Sequence, residues 1–204
     1  MMYRNEVILS GYLVENFKFH HDVGTKIFEG KIEVERRSGT KDTLILQISE
    51  RKLKEVGNLE EGDGIIIVGE LCTHRYIGDD DMVHNKNYVY VDKVWYTFNP
   101  DMKNWVKISG VIVKKGTLRT TQFCGKKVIE AIIAIESKNE QRNTAYVPII
   151  FWNDMADNML GNYNVGDKIE INGRLQSRDY IKRLPDDSTV VKTTFEVSVF
   201  KLIP

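Results

Sequence analysis

The chain contains a second version of itself, and that repeat limits its fold more than any single residue does. Asn5-Glu6-Val7-Ile8-Leu9-Ser10-Gly11 lines up with Asn104-Trp105-Val106-Lys107-Ile108-Ser109-Gly110 at an offset of 99. Phe17-Lys18 and Gly24 align with Leu118-Arg119 and Gly125 at an offset of 101. Gly62-Asp63, Gly69-x-Leu71 and Tyr76 align with Gly166-Asp167, Gly173-x-Leu175 and Tyr180 at an offset of 104. The offset grows between the matched blocks, where insertions fall in loops and are tolerated. A length of 204 residues accommodates two small domains. The repeat therefore predicts one domain over 1–101 and another over 102–204, joined around Asn99-Pro100-Asp101-Met102-Lys103.

The formal net charge is zero, but the two halves differ. Residues 1–101 carry 13 basic and 18 acidic side chains, and residues 102–204 carry 16 and 11. The C-terminal half is thus suited to a polyanion and the N-terminal half is not.

Within the second half the periodicity is that of strands. Ile169, Ile171, Gly173 and Leu175 alternate with Lys168, Glu170, Asn172, Arg174 and Gln176, and Val147, Ile149 and Phe151 alternate with Tyr146, Pro148, Ile150 and Trp152. Five such runs lie near 104–115, 126–137, 144–152, 167–181 and 190–202. One helix is predicted over Asn153–Asn162, with Asn153 as cap, Met155, Met159 and Leu160 at helical spacing and Gly161 as stop. Its weaker counterpart is Ser49–Val56. Three strands, a short helix and two strands match an OB-type barrel, and the helix disfavours the SH3-like alternative. The predicted fold is all-β: two tandem five-stranded OB-fold barrels, each with a short helix between strands three and four.

Several classes of function are set aside. The start is charged where a secretory signal would be apolar, and no run of 18 apolar residues occurs, so a cytoplasmic protein is expected. Cys72 and Cys124 are too few for a disulfide framework and are expected to be reduced and structural. His20, His21, His74 and His84 all lie in the first half without metal-ligand spacing, and Asp79-Asp80-Asp81 and Asp186-Asp187 read as hairpin tips. No phosphate loop, nucleophile elbow or triad spacing is present. Neither an enzyme nor a metal or other cofactor is expected.

Alternation places Tyr146 and Trp152 on the outward face of strand three, and Arg174, Arg178 and Tyr180 on that of strand four. Aromatics interleaved with arginine on an exposed sheet face suit a sequence-tolerant single-strand platform, since every base has a face to stack and every nucleotide a charge. Each residue also has a plainer reading. Trp152 could belong to the barrel core, and Tyr146 and Tyr180 could be ordinary strand tyrosines. Lys114, Lys115, Lys126 and Lys127 could merely solubilise two turns.

The second half resembles the bacterial and phage single-stranded-DNA-binding protein family over roughly its whole length. The resemblance rests on Asn104-x-Val106-x-Ile108-x-Gly110, Thr117-Leu118-Arg119-x-Thr121 with Gly125-Lys126, Tyr146-Val147-Pro148-Ile149-Ile150-Phe151-Trp152, Ala156, and Tyr163-x-x-Gly166-Asp167 running on to Gly173-Arg174-Leu175-Gln176-Ser177-Arg178-x-Tyr180. It implies that Tyr146, Trp152 and Tyr180 stack on bases while basic residues follow the phosphates. The candidate set is completed by Trp105, Lys107, Arg119, Lys126, Lys138, Arg174 and Arg178, with Tyr76, Arg36 and Arg37 in the first half. By resemblance the partner is single-stranded DNA, or RNA, in replication, repair or recombination, at the nucleoid. A homodimer giving four OB folds, paired through strand-one edges, is expected. Phe200-Lys201-Leu202-Ile203-Pro204 follow directly on strand five, so recruitment through the acidic tail common in such proteins is not expected.

The first half keeps the frame but not the site. Tyr146 falls opposite Asp42 and Trp152 opposite Ile48, which leaves Tyr76 opposite Tyr180. Its strand four, Ile65-Ile66-Ile67-Val68, is apolar on both faces and is predicted to pack against another barrel. The competing function is a primosome-type protein-interaction module with weak nucleic-acid binding.

Overall fold

A computed structural model describes residues 4–77, 83–122, 124–137, 143–183 and 188–203, with the side chains of Val83, 179–183 and 190–192 outside that description. The strands are β1 (Asn5–Asp22), β2 (Lys26–Glu35), β3 (Lys41–Ser49), β4 (Gly64–Ile77), β5 (Val83–Tyr96), β6 (Asn104–Lys115), β7 (Arg119–Thr120), β8 (Lys127–Ile135), β9 (Ala145–Trp152), β10 (Lys168–Arg183) and β11 (Thr189–Ile203). Helix α1 (Glu50–Val56) follows β3 and helix α2 (Asp154–Asn162) follows β9. The protein is all-β with few helices, and its strands close into an OB-like five-stranded barrel. β6 pairs with β8, β8 with β9, β9 with β11 in parallel, β11 with β10, and β10 with β6 again. In the first half, β1, β2, β3, β5 and β4 make the same circuit, with β3–β5 as the parallel pair. Leu9, Leu13, Ile32, Leu44, Leu46 and Ile67 fill the first circuit, and Ile108, Ile112, Ile133, Ile149, Phe151 and Ile171 fill the second.

The repeated motifs have repeated jobs. Gly62 and Gly166 turn with φ of 96° and 98°, where a side chain would be strained, and their N–H groups reach Leu13 and Ile112 carbonyls at 2.8 Å each. The Asp63 carboxylate accepts the N–H of Glu60 at 2.8 Å, and that of Asp167 accepts the N–H of Asn164 at 2.7 Å. Asn5 clamps both backbone groups of Leu71 with its side-chain amide, at 2.9 Å each. Asn104 does the same to Leu175, at 2.6 and 2.9 Å.

The two halves are joined by more than their linker. β1 and β6 pair antiparallel from Asn5↔Ile108 to Leu9↔Asn104, which merges the strands into one sheet of eleven. The strand-one edges expected to join two chains are therefore taken up within one. On the apolar strand β4, Ile65 and Ile67 are buried while Ile66 and Val68 remain half-exposed. The second half covers the strand's middle but not that outward stretch.

Helix α2 differs in detail from expectation. Ala156 and Met159 are its buried residues, Leu160 faces solvent, and the helix runs through Gly161 to Asn162. Asn153 holds the cap position at φ 51° without a side-chain cap bond. The far end is satisfied by Lys115, whose ammonium donates to the carbonyls of Leu160 and Tyr163 at 2.8 and 2.5 Å. Cys72 is buried, but Cys124 is exposed, and hydrogen bonds from Thr121 and then the Lys126 N–H pull its thiol pKa down. The two acidic hairpin tips lie outside the described residues, as does Lys138. Among the described residues no helix is long and apolar enough to cross a membrane.

Candidate nucleic-acid interface

Strand β9 presents Ala145, Val147, Ile149 and Phe151 to the core, which by the two-residue period turns Tyr146, Pro148, Ile150 and Trp152 outward. Tyr146 is 43% exposed and Trp152 is half-buried at the strand's end, opposite Val128. Ile150 is covered although it faces outward. Tyr146 stands at the seam between the halves: its N–H donates to the Thr73 hydroxyl of β4 at 3.0 Å.

Beside this face runs a groove of about 330 Å³ lined by Lys114, Glu130, Ile132, Pro148, Arg178 and Thr194, among others. Its cations are not all free. Arg119 and Arg178 converge on Glu130, Arg178 at 3.6 Å, and Arg178 also lies 3.4 Å from Glu196. Glu196, nearly buried, accepts from Gln176 at 2.6 Å. Both guanidinium groups are therefore already held by carboxylates. Alternation picked out Arg178 and the family resemblance Arg119, but neither pointed to Glu130 and Glu196, which pair with them.

The lysines divide by role. Lys115 caps α2 and Lys127 pairs with Asp157 at 2.7 Å, so both serve the helix. Lys114 and Lys126 extend from their turns without an ion pair among the described residues. Lys107 is bound to Glu170 at 3.2 Å with its side chain only 19% exposed. Trp105 is half-buried in β6 opposite Ile8, on a stretch that pairs with β1 and β10 rather than with β9. These two are thus not brought together with Tyr146 and Trp152.

Tyr180 lies in β10 opposite Lys192, and its side chain is outside the described set. Its repeat partner Tyr76 is exposed, with the ring stacked on His74 at 6.2 Å and tilted against His84 at 5.6 Å. His20 and His21 join this end of the first circuit. Burial, then the neighbouring His20 and His74, hold the His21 pKa below its ordinary value.

Arg36 is engaged elsewhere. Its Nε and Nη2 fork onto the fully buried Asp42 at 2.6 and 2.5 Å, and that hydrogen-bonded pair raises its pKa. Asp42 also accepts the N–H of Ser177 in β10 at 2.9 Å, so the pair helps to weld the halves. Arg37 is exposed and without a partner among the described residues. Arg174 is half-buried, with its guanidinium 5.7 Å from the ring of Phe200. Burial, and then Arg36, lower its pKa.

The ladders also correct the alignment of strand three. Ile32 pairs with Leu44, and Ile133 with Val147, so Tyr146 corresponds to Thr43 and Trp152 to Ser49. The expected partners Asp42 and Ile48 are one residue off, on the inward face. With a period of two, a slip of one residue reverses the face. The first half still lacks both aromatics.

The outward face of the second barrel thus offers two rings, two arginines held in place by carboxylates and two lysines without an ion pair among the described residues.

Residues 103–202 match the model of the Single-strand binding protein family. The wild-type single-stranded DNA binding protein from Thermus aquaticus superposes with a TM-score of 0.76 at 19% identity, over 100% of this chain and 93% of that one. A deletion mutant of that Thermus aquaticus protein gives 0.74 at 19%, over 98% and 94%. No protein among the curated ones matches. The family is one of binding proteins rather than enzymes. The C-terminal half of this chain belongs to the single-strand binding protein family.

Proposed function

We propose that the protein binds single-stranded DNA without regard to sequence, by stacking bases on Tyr146, Trp152 and Tyr180 and by holding phosphates with Arg119, Arg178, Lys114 and Lys126. The observation that carries this is the joint placement of Tyr146 and Trp152 outward on β9 beside a groove edged by Arg178 and Lys114. Stacking gives affinity that tolerates any base, and phosphate contacts add a salt-dependent part. Replication, repair or recombination is where such binding serves.

The two strand circuits are read as OB folds in tandem, over 1–101 and 102–204. The likeness to the Thermus aquaticus protein extends over both and supports this. In this reading the first barrel is a partner built for packing. Acidic and without the strand-three aromatics, it takes part in binding only through Tyr76 and Arg37. The half-exposed Ile66 and Val68 of β4, with Ile8 and Trp105 on the neighbouring strands, are the face on which a homodimer would form.

Electrophoretic mobility shift with oligo-dT, duplex and RNA of equal length tests the proposal. Preferential retention of the single strand supports it. Equal, weak retention of all three favours a protein-interaction module.

A further inference from the structure

Between the halves lies a second cavity, of about 1000 Å³, away from the Trp152 face; Arg37, Lys103, Arg174 and Phe200 line it, together with Glu35 and Asp101. Phe200 is there because of a bulge. Asn172 pairs with Lys201 and Gly173 with Val199, so Phe200 is the extra residue of β11, aimed outward and 51% exposed. In the sequence the adjacent Val199 and Phe200 break the alternation of the strand, which is the sign of a bulge.

The first barrel carries the same bulge at Asp92, between Val68↔Lys93 and Gly69↔Val91, and there Asp92 is neutralised by Lys52 at 3.3 Å. At the position matching Arg174 it has Glu70, which the Ser137 hydroxyl reaches at 2.8 Å. Only the second barrel sets an aromatic ring beside a guanidinium at this place.

Arg174 is incomplete as it stands. Its Nε is buried with no hydrogen-bond partner, and no carboxylate pairs with it among the described residues. A half-buried guanidinium with an open donor is a costly arrangement unless an anion completes it. Arg37 and Lys103 are likewise unpaired among the described residues, while Arg36 is spent on Asp42. Of the two acids present, Glu35 lies near enough to Lys41 to help raise that lysine's pKa.

We propose that this cleft is a further subsite for the nucleic-acid strand, in which Phe200 stacks one base and Arg174, flanked by Arg37 and Lys103, holds the adjoining phosphate. The subsite rests on the single-strand reading given above. At this cleft the acidic first half contributes Arg37, at a place separate from Tyr76.

The test uses the full chain with oligo-dT of about 30 nucleotides, long enough to cover two OB folds. Phe200→Ala should weaken binding about 5-fold or more, and Arg174→Gln should reduce the log–log salt slope by about 0.7. Ultraviolet cross-linking of the wild type should place a modified nucleotide on the peptide containing Phe200. Thermal melting confirms that the variants are folded. If the wild type binds but both variants match it and no cross-link reaches Phe200, the subsite is wrong and the β9 face stands. If the wild type does not bind at all, both readings fall together.

Discussion

The N–H of Tyr146 in one barrel donates to the hydroxyl of Thr73 in the other at 3.0 Å, and the relation is returned: the N–H of Thr43 donates to Ser177 at 3.2 Å. Thr73 and Ser177 are equivalent by the repeat, as are Tyr146 and Thr43, so the barrels hold one another through a pseudo-twofold exchange. That exchange fixes the seam on which Tyr146 is displayed.

Breaking it should loosen the halves without melting either. Thr73→Val and Ser177→Ala should each cost about 1 kcal/mol in urea unfolding. Hydrogen exchange at the Tyr146 and Thr43 amides should rise in the double variant.

The asparagine clamps predict a larger loss. Asn5 is buried, and Asn5→Ala would orphan both backbone groups of Leu71, at a cost of roughly 2 kcal/mol or more. Asn104→Ala, at a half-buried site, should cost less. Thermal unfolding of the two variants side by side measures the difference.

These clamps show which features could be read in the sequence. Asn5 and Asn104, Gly62-Asp63 and Gly166-Asp167 recur because each solves a local backbone problem twice, so the repeat and the strand runs were visible. Helix α2 was visible too, through Met155 and Met159. What depends on contacts distant in sequence was hidden. Arg36 and Lys107 look like free cations until Asp42 and Glu170 are brought beside them. The partners of Tyr146 and Trp152 in the first half were displaced by one residue, because the offset of 104 that holds for strand four includes one extra residue lying between strands three and four, where strand three itself is offset by 103. Phe200 was missed because a bulge, rather than alternation, turns it out.

Glu130 restrains both Arg119 and Arg178, so its removal should free them. Glu130→Gln is expected to tighten oligo-dT binding several-fold at low salt and to steepen the salt dependence, as the two guanidinium groups turn to phosphate. Titration of the variant at two salt concentrations checks this. Unchanged affinity would place those arginines outside the path.

Stability should depend on pH through His21. Its folded pKa lies below the ordinary 6.5, through burial and then through His20 and His74, while Asp22 and Glu29 oppose the shift. The unfolded chain therefore takes up the proton first, so stability is full above about pH 6.5 and falls as the pH drops from there towards the folded value. His21→Asn should flatten that decline in chemical denaturation between about pH 5 and 7.

The central claim is that bases lie against Trp152 while arginine and lysine hold the backbone. Intrinsic tryptophan fluorescence during oligo-dT titration, at two salt concentrations and beside Trp152→Phe, tests it most directly. Saturable quenching in the wild type, a reduced quench in the variant and a log–log salt slope of about −0.7 per phosphate contact are expected. An identical quench in both proteins, or binding indifferent to salt, would contradict it.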